Sequence, residues 1–355
     1  SMVEDEEGFS YPQIDSDKCI NCNICIRKCC FKSSMDEPSQ INCYAVKHTN
    51  DAVRKSSSSG GFFPALAKQV LIEKGCVIGA GFDDNNTVCH MIINSPEEIS
   101  RLQGSKYVES IIGDVYKKVK SILEEKRLVL FTGTPCQNAG LLNYLGKSYE
   151  NLITSDVICH GTPSPRIFRD YMKFIENKYH DKIKKVTFRE KIKGWHEPNM
   201  TINMSKKKYT CTWLRDPYYM LFFKNYSLRP SCYECRFAKH ERITDITMAD
   251  FWGIEKCNPQ FDDNRGTSFV IVNTPKGREM FEKISGELVY EKALINDSEQ
   301  PMLNHPSIMP EDRHLFFDDY INKGLKFCFK KYADYTLSFE IIYRIKKAVK
   351  KIIRL

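Results

Sequence analysis

Apolar and polar positions along this chain change their rhythm twice. Through about residue 50 the apolar residues fall in no regular order, so local packing alone would not hold that segment together. From Ser56 to about His180 helical and strand-like stretches alternate. Phe62 to Lys74 has helical spacing, Cys76-Val77-Ile78-Gly79-Ala80 reads as a strand, and Tyr107 to Lys126 reads as an amphipathic helix. Leu128 to Phe131 and Leu152 to Ile158 are short apolar strands, each followed by a helix, the first through Leu145 and the second from Pro165 to Tyr179. Strand, helix, strand, helix predicts a parallel sheet, because parallel neighbours need a crossover connection. From Lys184 onward short strands (186–189, 201–204, 209–213, 246–248, 269–272) surround helices near 216–226 and 276–285. The expected class is α/β (α+β): a mixed sheet with helices on its faces. It divides into segments 1–50, 51–180 and 181–325, with a tail at 326–355.

Composition narrows the possibilities. Hydrophobic residues are 42% and charged residues 28% of 355, and no apolar run approaches the roughly 18 residues of a membrane span. Integral membrane, coiled-coil and disordered classes are excluded. The N-terminus is acidic where an export signal would be basic and then apolar, which predicts a cytoplasmic protein, and Ser1 ahead of Met2 reads as an added residue. The net charge is +8, yet residues 341–355 carry six cations and no acid, leaving a nearly neutral body. That argues against a nucleic-acid partner. The tail has isoleucines on one helical face and cations mostly on the other, the pattern of a helix lying on an anionic membrane surface, here the inner one; docking on a partner or on the body competes with that reading.

Cysteine usage carries the chemistry. Fifteen cysteines in a long chain without an export signal point to metal ligation in a reducing compartment rather than to disulfides. The run Cys19-x-x-Cys22-x-x-Cys25-x-x-x-Cys29 has iron–sulfur spacing, since a tight loop presents every third residue to one centre. Zinc sites more often pair two distant Cys-x-x-Cys units. Cys29 is followed by Cys30 where such runs usually have proline, and Cys30 and Cys43 compete with Cys29 for the fourth ligand position.

A second constellation spans the chain. Cys136 and Cys159 follow successive predicted parallel strands, so both lie at the carboxyl edge of the sheet, where open α/β sheets bind ligands. Cys232-x-x-Cys235 offers two more thiols. A four-cysteine site and a structural zinc at Cys232 and Cys235 are equally open at this point. A further alternative makes Cys136 a nucleophile at a helix start with His160 as its base.

Two loops resemble anion cradles. Ser56-Ser57-Ser58-Ser59-Gly60-Gly61 leads into the helix at Phe62, and Gly104-Ser105-Lys106-Tyr107 precedes the next predicted helix. Arg189 and Lys191 share one strand face and offer two cations to an anionic substrate or flavin phosphate. A flexible linker and solvated strand charges are the bland accounts of these features.

Together, the Ser/Gly run, Gly104-Ser105-Lys106-Tyr107-Val108-Glu109-Ser110, Phe131-Thr132-Gly133-Thr134-Pro135-Cys136-Gln137, Cys159-His160-Gly161-Thr162-Pro163, Phe188-Arg189-Glu190-Lys191, Arg229-Pro230-Ser231-Cys232-Tyr233-Glu234-Cys235 and Asp250-Phe251-Trp252-Gly253 resemble the coenzyme F420 hydrogenase/dehydrogenase beta-subunit family over about residues 8–320. The resemblance implies an FAD-binding iron–sulfur oxidoreductase. It implies that Cys136, Cys159, Cys232 and Cys235 ligate a [4Fe-4S] cluster. Ser57, Ser58, Ser59, Gly60, Gly61, Gly104, Ser105, Lys106 and Tyr107 would line the FAD, with Gly133, Thr134 and Gln137 also in the cofactor site and Arg189, Lys191 and His160 at the reacting centre. Relatives with this N-terminal segment look like two-cluster ferredoxins fused to the flavin core; with one run present here, one N-terminal cluster is expected at most. A ferredoxin or similar redox protein and a small redox substrate are the implied partners. A metal-stabilised membrane-surface binding module and the Cys136/His160 thiol enzyme are the competing functions.

Overall fold

The computed structural model describes residues 1–30 and 41–335. The tail at 341–355, and with it the membrane-surface reading, lies outside the described residues. Strands β1 (Met2–Glu4) and β2 (Ser10–Pro12) form an N-terminal hairpin. β3 (Asn42–His48), β4 (Cys76–Phe82), β5 (Val88–Ile93), β6 (Val129–Gly133) and β7 (Leu152–Val157) enter a large sheet. β8 (Ile183–Glu190), β9 (Asn199–Met204) and β10 (Lys208–Thr212) make a separate antiparallel sheet. β11 (Ile246–Asp250), β12 (Ser268–Val272) and β13 (Leu288–Ala293) then return to the large one. Its order is β13-β3-β12-β11-β7-β6-β4-β5. The four middle strands β11, β7, β6 and β4 run parallel, and both flanks are antiparallel, so the class is the expected mixed α/β.

The strand sequences explain that layering. Neighbouring residues on a strand face opposite ways, and here both faces are covered, so the central strands are continuous apolar runs. Leu130, Ile153 and Val270 pack under the helices Phe62–Ile72 and Pro275–Ile284, with Leu66, Val70, Met280 and Phe281. Val129, Phe131 and Leu152 face the other way, against Val119, Leu123 and Leu141 of the helices Val115–Glu124 and Pro135–Leu145. A third, aromatic core joins the small sheet to the helices Pro165–Tyr179 and Pro217–Phe223 through Phe188, Tyr171, Tyr218 and Phe222.

Two expectations are corrected. The helix predicted from Tyr107 starts only at Val115, because Ile111 pairs with the edge of β5 and Gly113 turns the chain at φ +53°. Gly104 to Tyr107 therefore does not lead directly into a helix, and it follows the short helix Ile99–Leu102 instead. The first 50 residues are also not held by metal ligation alone. β3 sits between β12 and β13 inside the large sheet. The hairpin is fastened by Arg313 to Glu7 at 2.8 and 2.5 Å and by Arg229 to the Ser10 carbonyl at 2.9 Å. Among the described residues no helix is long and apolar enough to cross a membrane.

Candidate functional site

Parallel pairing of β6 with β7 sets Gly133 opposite Asp156, so the segments leaving these strands emerge side by side at the carboxyl edge. The first begins the helix Pro135–Leu145. Thr134 caps it, Pro135 supplies the fixed φ of its first turn, and Gln137 Oε1 accepts from Thr134 N at 2.9 Å in a reciprocal capping box. That cap places Cys136 Sγ 3.1 Å from Thr134 Oγ1. A side chain at 133 would press on Gln137 Oε1 at 3.0 Å and His90 Nε2 at 3.1 Å, which accounts for the glycine. Gly133, Thr134 and Gln137 thus build the turn that presents Cys136.

Cys159 leaves β7 at the same edge, and Cys232 and Cys235 arrive on the turn at Pro230–Cys232 and the loop after it. Thr162 N donates to Cys232 Sγ at 3.4 Å. Burial pushes the Cys159 thiol well above its ordinary pKa, and charge on Cys232, Cys136 or Cys235 pushes it further, so all four sulfurs share one electrostatic neighbourhood. Burial also raises Cys136, with Thr134 opposing and Cys235 adding to the shift, and raises Cys232 to about 11. Such thiols stay protonated at neutral pH until a metal takes the proton's place. Behind them Arg242 and Asp156, 1% and 0% exposed, form a buried ion pair at 2.7 Å.

The same shifts weigh against the thiol-enzyme alternative. Cys136 is raised, where a nucleophile needs a lowered pKa, and His160 bonds Asn225 Oδ1 at 2.7 Å with its ring edge-on to Phe222. Burial also lowers the His160 pKa.

The N-terminal run lies differently. Asn21 and Asn23 adopt left-handed φ of 55° and 56°, coiling the chain between the cysteines, and Cys19, Cys22 and Cys25 are exposed. Cys29 and Cys30 are half-buried. Cys30 Sγ lies 3.9 Å from the Cys136 carbonyl, and its thiol is pushed to about 11 by burial, then by Cys136 and Cys29. Lys28 Nζ bonds Asn143 O at 2.7 Å on the helix that Cys136 begins. The run is therefore docked beside the four-cysteine site. Cys43, weighed as a fourth ligand, is instead a core residue of β3 near Trp195 and Phe251, its thiol raised to about 12 by burial. Among the described residues no three His, Cys, Asp or Glu side chains converge as ligands of a single metal ion would.

The two expected anion loops come together. Ser105 N and Ser105 Oγ donate to Ser58 Oγ at 2.8 and 3.0 Å, and Gln103 Nε2 donates to Ser57 Oγ at 2.8 Å and Ser56 Oγ at 3.0 Å. Gly60 threads between β3 and β12, where a Cβ would collide with the Val46 carbonyl, and Gly61 turns at φ +92° into the helix at Phe62. Gly104, at φ +89°, has only Ser58 Oγ within 4.0 Å of a Cβ position, so the seam is open there. A pocket of about 550 Å³ borders its outer side, lined in part by Ser56, Gln103, His48 and Lys68. Lys106 Nζ turns back to the Leu102 and Gln103 carbonyls at 2.6 and 3.2 Å, and burial lowers it to about 7.

Arg189 contacts Tyr107 Oη at 3.3 Å and forms an ion pair with Asp250, at the end of β11. Burial opposes its charge, but Asp250 together with the Tyr107 and Tyr219 hydroxyls outweighs burial and raises its pKa. Trp195 Nε1 donates to Asp250 Oδ1 at 2.9 Å. Lys191 Nζ reaches the carbonyls of Arg54, Ser59 and Arg265 at 2.8, 2.6 and 2.7 Å. Sequence reasoning missed Gln103 and Asp263, which brace the Ser/Gly run directly and through Arg54; the one available signal was that Gln103 adjoins the Gly104 loop.

Comparison with known proteins places this geometry. Residues 43–115 match the family described as coenzyme F420 hydrogenase/dehydrogenase, beta subunit N-term, and residues 126–297 match its C terminus. No curated protein matches the sequence significantly. A chain of the F420-reducing [NiFe] hydrogenase complex from Methanosarcina barkeri is 18% identical, with 82% of this chain and 91% of that chain covered at a TM-score of 0.48. Two family models in register over most of the chain make it a member of the coenzyme F420 hydrogenase/dehydrogenase beta-subunit family, an oxidoreductase.

Proposed function

We propose that this chain is an FAD-dependent iron–sulfur oxidoreductase, passing electrons between [4Fe-4S] clusters and a flavin that exchanges hydride with a deazaflavin-like or other organic substrate. The observation that carries the reading is the meeting of Cys136, Cys159, Cys232 and Cys235, from three distant segments, in one buried neighbourhood at the carboxyl edge of β6 and β7. Four thiols with no other ligand type suit a cluster. Tetrahedral zinc, at a Zn–S distance of about 2.3 Å, would draw the sulfurs to about 3.8 Å from one another.

When bound, the cluster supplies one-electron steps and the flavin supplies hydride chemistry. The chain's own residues bind and orient. Cys136 and Cys159 are aimed by the Thr134 cap and the end of β7. The Ser57–Gly61 and Gly104–Tyr107 seam offers hydroxyls and a glycine-lined approach to a dinucleotide. Arg189, held by Asp250, keeps a fixed positive charge beside Tyr107 and would stabilise negative charge on a bound flavin. His160 closes the side toward Phe222. Cys19, Cys22 and Cys25, with Cys29 or Cys30, would hold the entry cluster for a ferredoxin-like donor, and the contact of Cys30 with Cys136 makes a short path inward.

The test is iron, sulfide and flavin analysis with a visible spectrum on anaerobically purified protein, before and after Cys136→Ala. Flavin with about four or more irons per chain, and loss of iron in the variant, supports the reading. A colourless zinc protein overturns it.

A further inference from the structure

All three donors of the Lys191 ammonium are taken. They point to the carbonyl oxygens of Arg54, Ser59 and Arg265 at 2.8, 2.6 and 2.7 Å, which belong to three separate segments: the helix Asp51–Ser56, the Ser/Gly loop and the turn before β12. An ammonium has three N–H bonds, so none is left for a phosphate or a substrate. The surroundings fit that use. A side chain at Gly266 would lie 2.5 Å from the Ser59 carbonyl and 2.6 Å from Lys191 Nζ, so the glycine clears the space the ammonium fills.

Arg54 grips the same turn from the other side, through Asp263 at 2.9 and 2.7 Å and the Gly266 carbonyl at 2.9 Å. Ser59 Oγ donates to Thr267 O at 2.7 Å, and Gly60 N to Ser268 Oγ at 3.0 Å. The run Ser56–Gly61, which a string of serines and glycines would leave floppy, is thereby stitched to β12. Lys191 is the stitch contributed by the other half of the chain, from the end of β8.

We propose that Lys191 is a positioning residue that pre-forms the Ser/Gly loop for the dinucleotide and touches neither cofactor nor substrate. This rests on the flavin reading above and changes what Lys191 does within it. Ordering the loop beforehand removes an entropy cost that flavin binding would otherwise carry. Losing three charge-assisted bonds should weaken flavin affinity by about 10- to 100-fold.

The experiment uses the full chain stripped of flavin, as wild type, Lys191→Ala and Lys191→Arg. Hydrogen exchange over residues 54–61 and 262–267 is measured without flavin, and FAD affinity by titration. Expected are faster exchange in both segments, weaker FAD binding and unchanged iron in Lys191→Ala. Added ethylammonium should restore affinity in that variant, because it fits the space left and supplies three N–H donors, whereas a merely destabilised fold would not respond. Lys191→Arg should fail to rescue, since a planar fork cannot reach three converging carbonyls. Wild type that binds FAD, with Lys191→Ala binding equally well, overturns the assignment alone; wild type that binds none overturns the flavin reading and this assignment with it.

Discussion

The chain holds two sets of cysteines built on opposite principles. Cys19, Cys22, Cys25 and Cys29 are neighbours in sequence, on a loop with three exposed thiols and no buried residue in its one helical turn, Ile24–Arg27. Cys136, Cys159, Cys232 and Cys235 are scattered over 100 residues and assembled by the sheet and the turn at Pro230–Cys232, and all four are half-buried. On the reading proposed above, the first site would form locally around its metal. The second depends on the fold, and the fold in turn puts several thiols where burial keeps them neutral until they are ligated. A local site trades easily with solvent, and a topological one does not.

The largest effect that separates them is a paired deletion. Cys159→Ala should remove about four irons per chain, and because ligation energy is folding energy for such a site it should lower Tm as well. Cys22→Ser should remove only the iron of the exposed centre, leaving flavin and Tm nearly as they were. Iron analysis, flavin analysis and melting on both variants check this. Equal losses of iron and Tm in the two variants would erase the distinction between the sites.

The same contrast governs what the sequence could reveal. The N-terminal run is legible from spacing alone because its ligands are three residues apart. Cys136 and Cys159 were placed correctly as neighbours because each follows an apolar strand of one strand-helix-strand unit. The arrival of Cys232 beside them could not be settled that way, since it depends on a turn returning across the sheet; spacing left a four-cysteine site level with a structural zinc, and the family resemblance favoured the former. Cys43 misled, because its strand, Asn42–His48, joins the sheet between two strands from the far end of the chain, a pairing with no local signature. The helix start at Val115 was misjudged for the same reason: Ile111 is held by β5. Lys191 was read as an anion ligand because charge is visible in a sequence and three backbone carbonyls are not.

A smaller effect probes what supports the topological site. Arg242 and Asp156, the latter three residues before Cys159, are fully desolvated, and Arg242 Nη2 reaches Asp156 at 2.7 Å while Nη1 holds the Phe237 carbonyl at 2.9 Å. Arg242→Met leaves a carboxylate buried without its partner and should cost about 3–5 kcal/mol in urea unfolding. The N-terminal run has an exposed Lys18–Asp15 pair at 3.2 Å, whose loss should cost less than about 1 kcal/mol. An Arg242→Met protein as stable as the wild type would mean the pair contributes nothing to holding β7 in place.

The last difference is acid sensitivity, and it belongs to the core region through His90. Its Nε2 faces the Thr132 carbonyl at 3.1 Å, so that nitrogen carries the hydrogen, and Nδ1 accepts from Ser110 Oγ at 2.7 Å. The neutral ring is thus fully paired. Burial, only partly opposed by the Thr132 carbonyl, pushes its pKa from 6.5 to about 4. A folded-state value below the unfolded one means that the unfolded chain takes up the proton first as pH falls. The contribution is complete above pH 6.5, declines as pH drops from there toward 4, and is constant below; at about 1.36 kcal/mol per unit the whole amounts to about 3 kcal/mol. His90→Gln keeps one donor and one acceptor for the same two partners and does not titrate. The wild type should therefore lose about 3 kcal/mol of unfolding free energy relative to His90→Gln as pH is lowered from 7 to 4, whatever the state of the exposed run. Parallel curves would show that the ring escapes from between Thr132 and Ser110 when it is protonated, and that the edge of β6 presenting Cys136 is looser than its hydrogen bonds imply.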